Sequence, residues 1–241
     1  AGSTGNPFSF YLDANWGLRR FASKWLLDSY FGAGPQTRYF VIFSRLESPK
    51  KGQLSAHSFK DKLKMTMKLV DPLQCHSIWY LDISEEKFPK IMNELMKFKP
   101  RYGSANASYL PLLSEILSQQ PTQMLKLKGI ISGVETLLEG ERRRFEQTCG
   151  CSIFNRYGSR EFYGALAGEC EYHSGLHVNL DLVLIEILDN DNEPCSTGEV
   201  GDIVITDFYN KSMPFVRYRI GDIGSLNSGC NCGRGFPTLG Q

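Results

Sequence analysis

Residues 127–135 read Leu-Lys-Gly-Ile-Ile-Ser-Gly-Val-Glu, a short apolar run that leads into a glycine and a carboxylate. We interpret Leu127–Ser132 as a strand buried on both faces, which is the pattern of parallel sheets. The Arg- and Glu-rich stretch Leu137–Thr148 then predicts a helix that Gly150 ends. A buried strand, a loop and a helix in this order predict parallel α/β packing, in which loops at the carboxyl ends of strands bind ligands.

The chain on either side of this unit extends the pattern. Upstream, we predict strands at Phe8–Leu12, Arg38–Ser44 and Lys64–Val70, and helices at about 13–31, 84–100 and 107–118. Downstream, Ser152–Asn155 is interpreted as a short strand, and from Val178 onward strand-like runs alternate with Asp, Asn, Gly and Pro turns. We therefore expect an α/β portion over residues 1–177, followed by a β-rich subdomain over residues 178–241.

Composition narrows the class of protein. With 241 residues, 41% of them hydrophobic, the chain is long enough to bury a substantial core. A net charge of +1 gives no electrostatic reason to expect nucleic acid or an anionic membrane as a partner. No apolar run approaches the ~20 residues of a transmembrane helix, and no secretory signal pattern is present. Seven cysteines, an odd number, fit a reducing compartment, so we expect a cytoplasmic protein.

The first eight residues, Ala-Gly-Ser-Thr-Gly-Asn-Pro-Phe, form a glycine- and hydroxyl-rich loop. Glycines let backbone amides approach an anion closely, and Ser and Thr donate hydrogen bonds to phosphate oxygens. The loop lacks the Gly-Lys-Ser/Thr ending of a Walker motif. It therefore indicates nucleotide phosphates as a ligand, while an ordinary flexible terminus has the same composition.

Three further segments supply groups that suit a nucleotide. They are Gly133-Val134-Glu135, Tyr157-Gly158-Ser159-Arg160-Glu161 and Tyr218-Arg219-Ile220-Gly221-Asp222. The first two follow predicted strands, so we expect them where α/β proteins bind ligands. Each also has an ordinary structural explanation: a Tyr-Gly turn, a solvated surface acid or an edge strand. Their occurrence together, in this order behind a Gly/Ser/Thr loop, favours a nucleotide site.

The same stretches resemble the adenylate-forming superfamily of acyl-CoA synthetases and adenylation domains, most of all its phenylacetate–CoA ligase and capsule-biosynthesis branch. The resemblance spans residues 1–240 and is carried by AGSTGNPFSFY, SGVET, FNRYGSREF, GLHVNLD, GEVGDIVITDFYNKSMPFVRYRIGDIG and CNCGRGFPTLG. It implies the large N-terminal domain of such an enzyme. The implied reaction joins a carboxylic acid to AMP from Mg·ATP, releases pyrophosphate, and passes the acyl group to a thiol such as CoA.

The resemblance also assigns roles to individual residues. The implied nucleotide-binding residues are Ser3, Thr4 and Gly5 at the β- and γ-phosphates, Gly133, Val134 and Glu135 at the adenine, and Tyr157, Gly158, Ser159 and Asp222. Tyr157 is expected to stack on adenine, and Asp222 is expected to accept hydrogen bonds from the ribose hydroxyls. Glu161 is expected to bind Mg²⁺, a hard cation that prefers oxygen ligands. Thr4, Arg160 and Glu161 are the expected catalytic residues.

Two positions depart from the family pattern. Asn6 stands where many members carry a Lys, and Arg160 stands where the wider superfamily has a Thr that contacts the AMP phosphate. We interpret Arg160 as a phosphate contact in its own right. By position in the family pattern, the pocket for the acid includes four aromatic residues, although aromatic side chains also fill cores. These residues are Tyr102, Tyr109, Phe162 and Tyr163.

A second constellation combines cysteine and histidine. Cys230-Asn231-Cys232-Gly233 places two thiols on one tight turn, and Cys170, His173 and His177 lie upstream. Two soft ligands from each of two loops are typical of a structural tetrahedral Zn²⁺ site. Because some members of the same branch carry similar motifs, we choose Cys170, His177, Cys230 and Cys232, with His173 as the substitute. The alternatives are unrelated reduced cysteines, or Cys149-Gly150-Cys151 as a competing pair, which we interpret instead as core packing around a helix-ending glycine.

Three expectations concern the chain as a whole. The resemblance implies that the family's small C-terminal domain, which brings a catalytic Lys and the thiol-binding face, is missing, so we expect these residues alone to be weak or inactive. With no strand ahead of Ala1, we also expect the phosphate loop to be loose. The rival hypothesis, favoured by Asn6 and Arg160, is a non-catalytic, zinc-stabilised module that binds a nucleotide or a partner.

Overall fold

The elements alternate between helix and strand in the first part of the chain and are strands alone in the last part. This computed structural model describes residues 8–34, 36–42, 77–80, 87–118, 125–162 and 164–240. The described helices are α1 (Ala14–Ser29), α2 (Phe88–Phe98), α3 (Leu110–Ser118) and α4 (Glu139–Cys149), with a 3₁₀ turn at Ala107–Tyr109. The described strands are β1 (Tyr39–Ile42), β2 (Ser77–Tyr80), β3 (Tyr102–Asn106), β4 (Gly129–Gly133), β5 (Ser152–Ser159), β6 (Gly164–Gly168), β7 (Leu176–Val178), β8 (Val183–Leu188), β9 (Val200–Asp207), β10 (Tyr218–Asn227) and β11 (Thr238–Gly240). The predicted mixed α/β class is confirmed.

None of the helices in the described residues combines the length and the apolar character that a bilayer crossing requires.

Residues 34–153 form a first compact unit, which we call the parallel unit. Its strands lie in the order β2-β1-β3-β4, and every neighbouring pair is parallel. The predicted strand at residues 127–132 is β4, whose first four residues are buried. The fully or nearly fully buried large side chains of its core include Phe40, Ile42, Leu95, Ile130 and Phe145. The sequence order of strand and helix therefore leads to the parallel packing that we predicted.

Helix α4 ends as its sequence predicts. Gly150 has a φ of +64°, and its N–H donates to the carbonyl of Glu146 at 2.9 Å. This left-handed residue is the usual glycine cap of a helix C-terminus. Cys149 and Cys151, on either side of it, pack against the core of the parallel unit, and burial raises the pKa of their thiols to about 11 and about 12. These two cysteines are therefore protonated packing residues, as we interpreted them.

We expect Gly103→Ala to destabilise the parallel unit. A Cβ at this position in β3 would lie 2.2 Å from Phe40 Cζ and 2.6 Å from Ile130 Cδ1. Both side chains are fully buried, so they have little room to move. Overpacking of this kind costs about 1–3 kcal/mol of the free energy of unfolding. Chemical denaturation measures the loss, and Gly140→Ala, where a Cβ would meet open space, is the matched control.

The second unit comprises residues 1–33 and 154–241, and we call it the antiparallel unit. Its strands lie in the order β5-β6-β7-β11-β10-β9-β8, with antiparallel pairing throughout. The predicted boundary between residues 177 and 178 lies inside β7. The two compact units divide at residues 33/34 and 153/154, and β5, β6 and β7 pair with the strands that follow them, while the domain boundary itself stays a prediction.

Two local predictions need correction, and two lie outside the described residues. Phe8–Leu12, predicted as a strand, has no ladder partner among the described strands, because side chains rather than a neighbouring strand bind its backbone. β5 runs on to Ser159, beyond the predicted end at Asn155. The strand at 64–70 and the helix-capping Ser84 fall outside the part of the chain that the structure describes.

Candidate functional site

The structure brings Tyr157 of β5 and Asp222 of β10 into direct contact. The Tyr157 hydroxyl donates a hydrogen bond to Asp222 Oδ2 at 2.8 Å, across 65 residues of sequence. Tyr157 is only 7% exposed, so most of its ring packs inside the antiparallel unit. Two of the predicted nucleotide-binding residues therefore share one site in this unit.

Glu161 lies close to the same pair, in the turn between β5 and β6. Burial raises the pKa of Tyr157, and the hydrogen bond to Asp222 and the charges of Asp222 and Glu161 add to the increase. Burial and the charge of Glu161 likewise raise the pKa of Tyr218. The site thus carries two carboxylates and a protonated phenol, a set that suits a cation and ligand hydroxyl groups.

A bulge in β10 sets the position of Asp222. The pairing of β10 with β9 changes register between Arg219 and Ile223, and Gly221 has a φ of +90°. Bulges re-aim the side chains next to them, and this backbone conformation favours glycine. Asp222 consequently reaches Tyr157 while remaining exposed, so its carboxylate has capacity for further hydrogen bonds.

Gly158 and Ser159 continue β5 beyond Tyr157. A Cβ at Gly158 would lie 2.1 Å from the carbonyl oxygen of Gly164, so only glycine fits against β6. Ser159 Oγ is buried and has no hydrogen-bond partner within the described ranges. Because buried hydroxyls in native proteins are nearly always paired, this atom fits a site whose ligand completes its hydrogen bonding. Arg160, the next residue, is exposed.

Gly133, Val134 and Glu135 lie at the carboxyl end of β4, in the parallel unit. Val134 is 70% exposed and has a φ of +76°, which is strained for a β-branched residue. The Glu135 carboxylate accepts hydrogen bonds from the Ser108 N–H at 2.7 Å and from the Ser108 hydroxyl at 3.2 Å. Strain held in place by a hydrogen-bonded neighbour is typical of a functional loop, and this loop follows a parallel strand as ligand-binding loops do.

Some of the remaining predicted site residues lie outside the described residues, and others are buried in the cores. Ser3, Thr4, Gly5 and Tyr163 lie outside the described residues, so the looseness of the phosphate loop stays a prediction. Phe162 is fully buried and packs on Phe215, with ring centroids 5.4 Å apart. Tyr102 is 2% exposed, and Tyr109 is half-buried against the core of the parallel unit. Phe162 and Tyr102 therefore fill cores in this structure, and their role in an acid pocket stays a prediction.

Four predicted metal ligands converge in the antiparallel unit. The sulfurs of Cys170, Cys230 and Cys232 and one ring nitrogen of His177 lie within 4.8 Å of one another. Cys170 Sγ is 3.7 Å from Cys230 Sγ, and Cys232 Sγ is 3.4 Å from His177 Nε2. A tetrahedral zinc site with Zn–S of ~2.3 Å and Zn–N of ~2.0 Å places sulfurs ~3.8 Å apart and sulfur and nitrogen ~3.5 Å apart. The four side chains therefore fit Zn²⁺.

Electrostatics differs between the thiols of this cluster: burial raises the pKa of Cys170 to about 12, whereas the surroundings of Cys232 favour its thiolate. Burial by itself would raise the pKa of Cys232, but hydrogen bonds from the Arg234 N–H and side chain, together with the neighbouring thiols, lower it. Burial, with the charge of Arg234, lowers the pKa of His177, so its ring is neutral and able to bind a metal. His173 lies apart from the cluster, with its Nδ1 3.1 Å from Glu169 Oε2.

Sequence reasoning missed the charged pair that lies beneath β5. Asp28 of α1 is 1% exposed and pairs with Arg156, which directly precedes Tyr157, and with Lys24. Burial raises the pKa of Asp28, but the charges of Arg156 and Lys24 outweigh it and lower that pKa overall. The local sequence indicates only the i, i+4 spacing of Lys24 and Asp28 on α1, and Arg156 is 128 residues away.

Sequence comparison relates the chain to CoA ligases, although no protein-family model matches it. It is 32% identical over 152 residues to a phenylacetate-coenzyme A ligase of Thermus thermophilus, covering 61% of this chain and 34% of that protein. It is 24% identical over 230 residues to protein CapK of Staphylococcus aureus, covering 94% of this chain and 47% of that protein. The chain thus spans less than half the length of these relatives.

Solved structures show the same fold. A 2-hydroxyisobutyryl-CoA ligase bound to an acyl-AMP has a TM-score of 0.76 at 18% identity, covering 99% of this chain and 49% of that one. The o-succinylbenzoate coenzyme A synthetase MenE of Bacillus subtilis, in complex with AMP, has a TM-score of 0.65 at 17% identity, covering 99% and 47%. The chain is thus similar in sequence to phenylacetate-coenzyme A ligases and to CapK, and it shares its fold with CoA ligases of known structure.

Proposed function

We propose that this chain is the nucleotide-binding part of a ligase that activates a carboxylic acid as an acyl-adenylate and transfers the acyl group to CoA. The observation that carries the proposal is the meeting of Tyr157, Glu161 and Asp222 in one site of a chain related to CoA ligases. The buried, unpaired Ser159 Oγ in the same strand gives further support. Phenylacetate is the first carboxylic acid to test as the substrate, because the similar proteins are named phenylacetate-coenzyme A ligases.

The proposed reaction has two steps. A carboxylate oxygen attacks the α-phosphorus of ATP, the new acyl–phosphate bond forms, and the bond to pyrophosphate breaks. The sulfur of CoA, after losing its proton, then attacks the acyl carbon, and AMP leaves with the electron pair of the broken bond. The protein's part in the first step is to hold the nucleotide and to offset charge at the phosphates.

Each predicted site residue has a proposed role. The Asp222 carboxylate accepts hydrogen bonds from the ribose, while the Tyr157 hydroxyl orients it and the Tyr157 ring stacks on adenine. Glu161 holds Mg²⁺, Arg160 contacts the α-phosphate, and Thr4 with its neighbours Ser3 and Gly5 contacts the outer phosphates. Gly133, Val134 and Glu135 contribute to the adenine site. Magnesium, when bound, neutralises charge on the phosphates as a Lewis acid.

We propose further that Cys170, His177, Cys230 and Cys232 hold a structural Zn²⁺. The spacing of their ligand atoms supports this, as does the neutral imidazole that burial favours. Four protein ligands leave no open position, so the metal would stabilise the fold and take no part in the reaction. The ligands join the segments after β6, within β7 and between β10 and β11, which pack against Leu27 and Tyr30 near the end of α1.

We expect Glu161→Gln to weaken binding of Mg·ATP about tenfold, because contacts to a charged group contribute roughly 1.5–3 kcal/mol. Binding of AMP without magnesium is expected to change less than twofold. Calorimetric titration with each nucleotide measures both, and Glu193→Gln, in the exposed turn between β8 and β9, is the matched control. Equal losses for both nucleotides would contradict the assignment of Glu161 to the metal.

The rival function is a non-catalytic module that is stabilised by zinc. Exchange of labelled pyrophosphate into ATP separates the two, because it reports the first step alone. We expect the whole protein to catalyse pyrophosphate exchange only when a suitable carboxylic acid is added. The low or absent adenylation activity that we expect of these 241 residues alone is a prediction for the same assay. Nucleotide binding without exchange for any acid tested would favour the module. The cytoplasmic location stays a prediction based on the odd number of cysteines.

A further inference from the structure

Asn210 binds the segment that follows the predicted phosphate loop in the sequence. It lies in the connection between β9 and β10 and is only 2% exposed. Its Nδ2 donates to the Tyr11 carbonyl at 2.8 Å, and its Oδ1 accepts from the Asp13 N–H at 3.1 Å. These contacts cross about 200 residues of sequence, with separations of 199 and 197. The Asn210 side chain thus makes hydrogen bonds to this backbone that a neighbouring strand would otherwise make.

The amide of Asn210 is itself held in a fixed orientation. The second Nδ2 hydrogen is donated to the Met213 carbonyl at 3.0 Å, so both donors and the acceptor are used. The Asp207 carboxylate accepts from the N–H groups of Tyr209 and Asn210, at 2.8 Å and 3.2 Å. The connection between β9 and β10 is therefore organised around the group that binds Tyr11 and Asp13.

Aromatic contacts join the same two segments on either side of Asn210. Phe8 and Phe10 pack on Phe215, each with ring centroids 6.3 Å apart, and Phe8 stacks on Tyr218 at 6.4 Å. Further along α1, the Arg19 guanidinium lies 4.1 Å from the centre of the Tyr209 ring. The segment from residue 8 to residue 19 is thus attached along the connection that leads into β10.

β10 begins at Tyr218 and carries Asp222 four residues later. The segment 8–13 follows Ser3, Thr4 and Gly5 in the sequence after two intervening residues. Described hydrogen bonds therefore join Tyr11 and Asp13, shortly after the predicted triphosphate contacts in the sequence, to the connection that leads to the predicted ribose contact.

We propose that Asn210 is a positioning residue for triphosphate binding: it anchors residues 8–13, which follow the predicted phosphate loop in the sequence, to the connection that leads into β10 and Asp222. The inference rests on the proposed nucleotide function. It predicts that loss of Asn210 weakens binding of ATP more than binding of AMP, because AMP lacks the β- and γ-phosphates.

Calorimetric titration of the 241-residue chain with AMP and with Mg·ATP tests the proposal. For Asn210→Ala we expect the affinity for Mg·ATP to fall about tenfold, since two hydrogen bonds to the segment are lost, and the affinity for AMP to change less than twofold. Asn210→Asp keeps the acceptor for Asp13 but sets a carboxylate oxygen against the Tyr11 and Met213 carbonyls, so we expect a fall in the Mg·ATP affinity at least as large as that of Asn210→Ala. If Asn210→Ala does not fold, the ratio for Asn210→Asp decides.

Asn179→Ala is the matched control, because Asn179 is a buried asparagine of the same unit whose side chain has no partner in the described part of the chain. We expect it to leave the ratio of the two affinities unchanged. Parallel losses of ATP and AMP binding in the Asn210 variants, or no loss, would overturn the positioning role while leaving the proposed function intact. Absence of binding by the unmodified chain would overturn the proposed function itself, and this inference with it.

Discussion

Replacing Asp222 with alanine is expected to lower the affinity of the chain for AMP and for Mg·ATP by about 100-fold. Charge-assisted hydrogen bonds contribute roughly 1.5–3 kcal/mol each, and a carboxylate on a ribose makes two of them. A loss of ~3 kcal/mol corresponds to about 100-fold in affinity. Because Asp222 is exposed and lies next to a glycine bulge, its removal is expected to leave the fold intact.

Calorimetry with both nucleotides measures this effect. Asp191→Ala removes the same charge from the exposed turn between β8 and β9 and is expected to leave both affinities unchanged. Tyr157→Phe, which removes the hydroxyl that donates to Asp222, is expected to cause a smaller loss. An Asp222→Ala protein that binds AMP as tightly as the unmodified chain would show that the ribose contact is assigned to the wrong residue.

Replacing Cys170 with serine is expected to remove zinc and to destabilise the antiparallel unit. Its thiol is fully buried against Leu27 and Tyr30, and a serine hydroxyl is a poor replacement for a thiolate ligand. A ligand present at about 1,000 times its Kd contributes about 4 kcal/mol to stability. For a chain of this size, that loss lowers Tm by about 8–16 °C.

Metal analysis and thermal unfolding test the zinc proposal together. Protein purified without chelator is expected to contain about one Zn²⁺ per chain, in keeping with one tetrahedral site. Cys195→Ser is the matched control, because Cys195 is a free cysteine outside the cluster and its loss is expected to leave the zinc content unchanged. A metal-free protein with the same Tm as the zinc-loaded one would contradict a structural metal.

Features that depend on local sequence could be predicted. The apolar run at β4, the amphipathic spacing of α2 and the glycine that ends α4 each depend on a few neighbouring residues, and the structure agrees with them. The Cys-x-Cys turn between β10 and β11 is also local, and the choice of Cys170 and His177 as its partners rests on the family resemblance. Proximity of these ligands could therefore be predicted before any coordinates.

Features that depend on contacts between distant segments could not be predicted in the same way. Nothing near Asn210 in the sequence indicates that it binds Tyr11 and Asp13, and nothing near Asp28 indicates Arg156. Phe8–Leu12 has the alternation of a strand, but alternation does not reveal that a side chain will bind its backbone instead of a strand. Likewise, the positive φ of Val134 is a property of the folded loop.

Titration of the unmodified 241-residue chain with AMP tests the central claim most directly. The proposed AMP contacts at Tyr157, Ser159 and Asp222 require neither the phosphate loop nor a metal. We therefore predict saturable binding at one site per chain, with competition between AMP and ATP. The absence of saturable binding up to millimolar AMP would contradict the account and would favour a zinc-stabilised module without a nucleotide site.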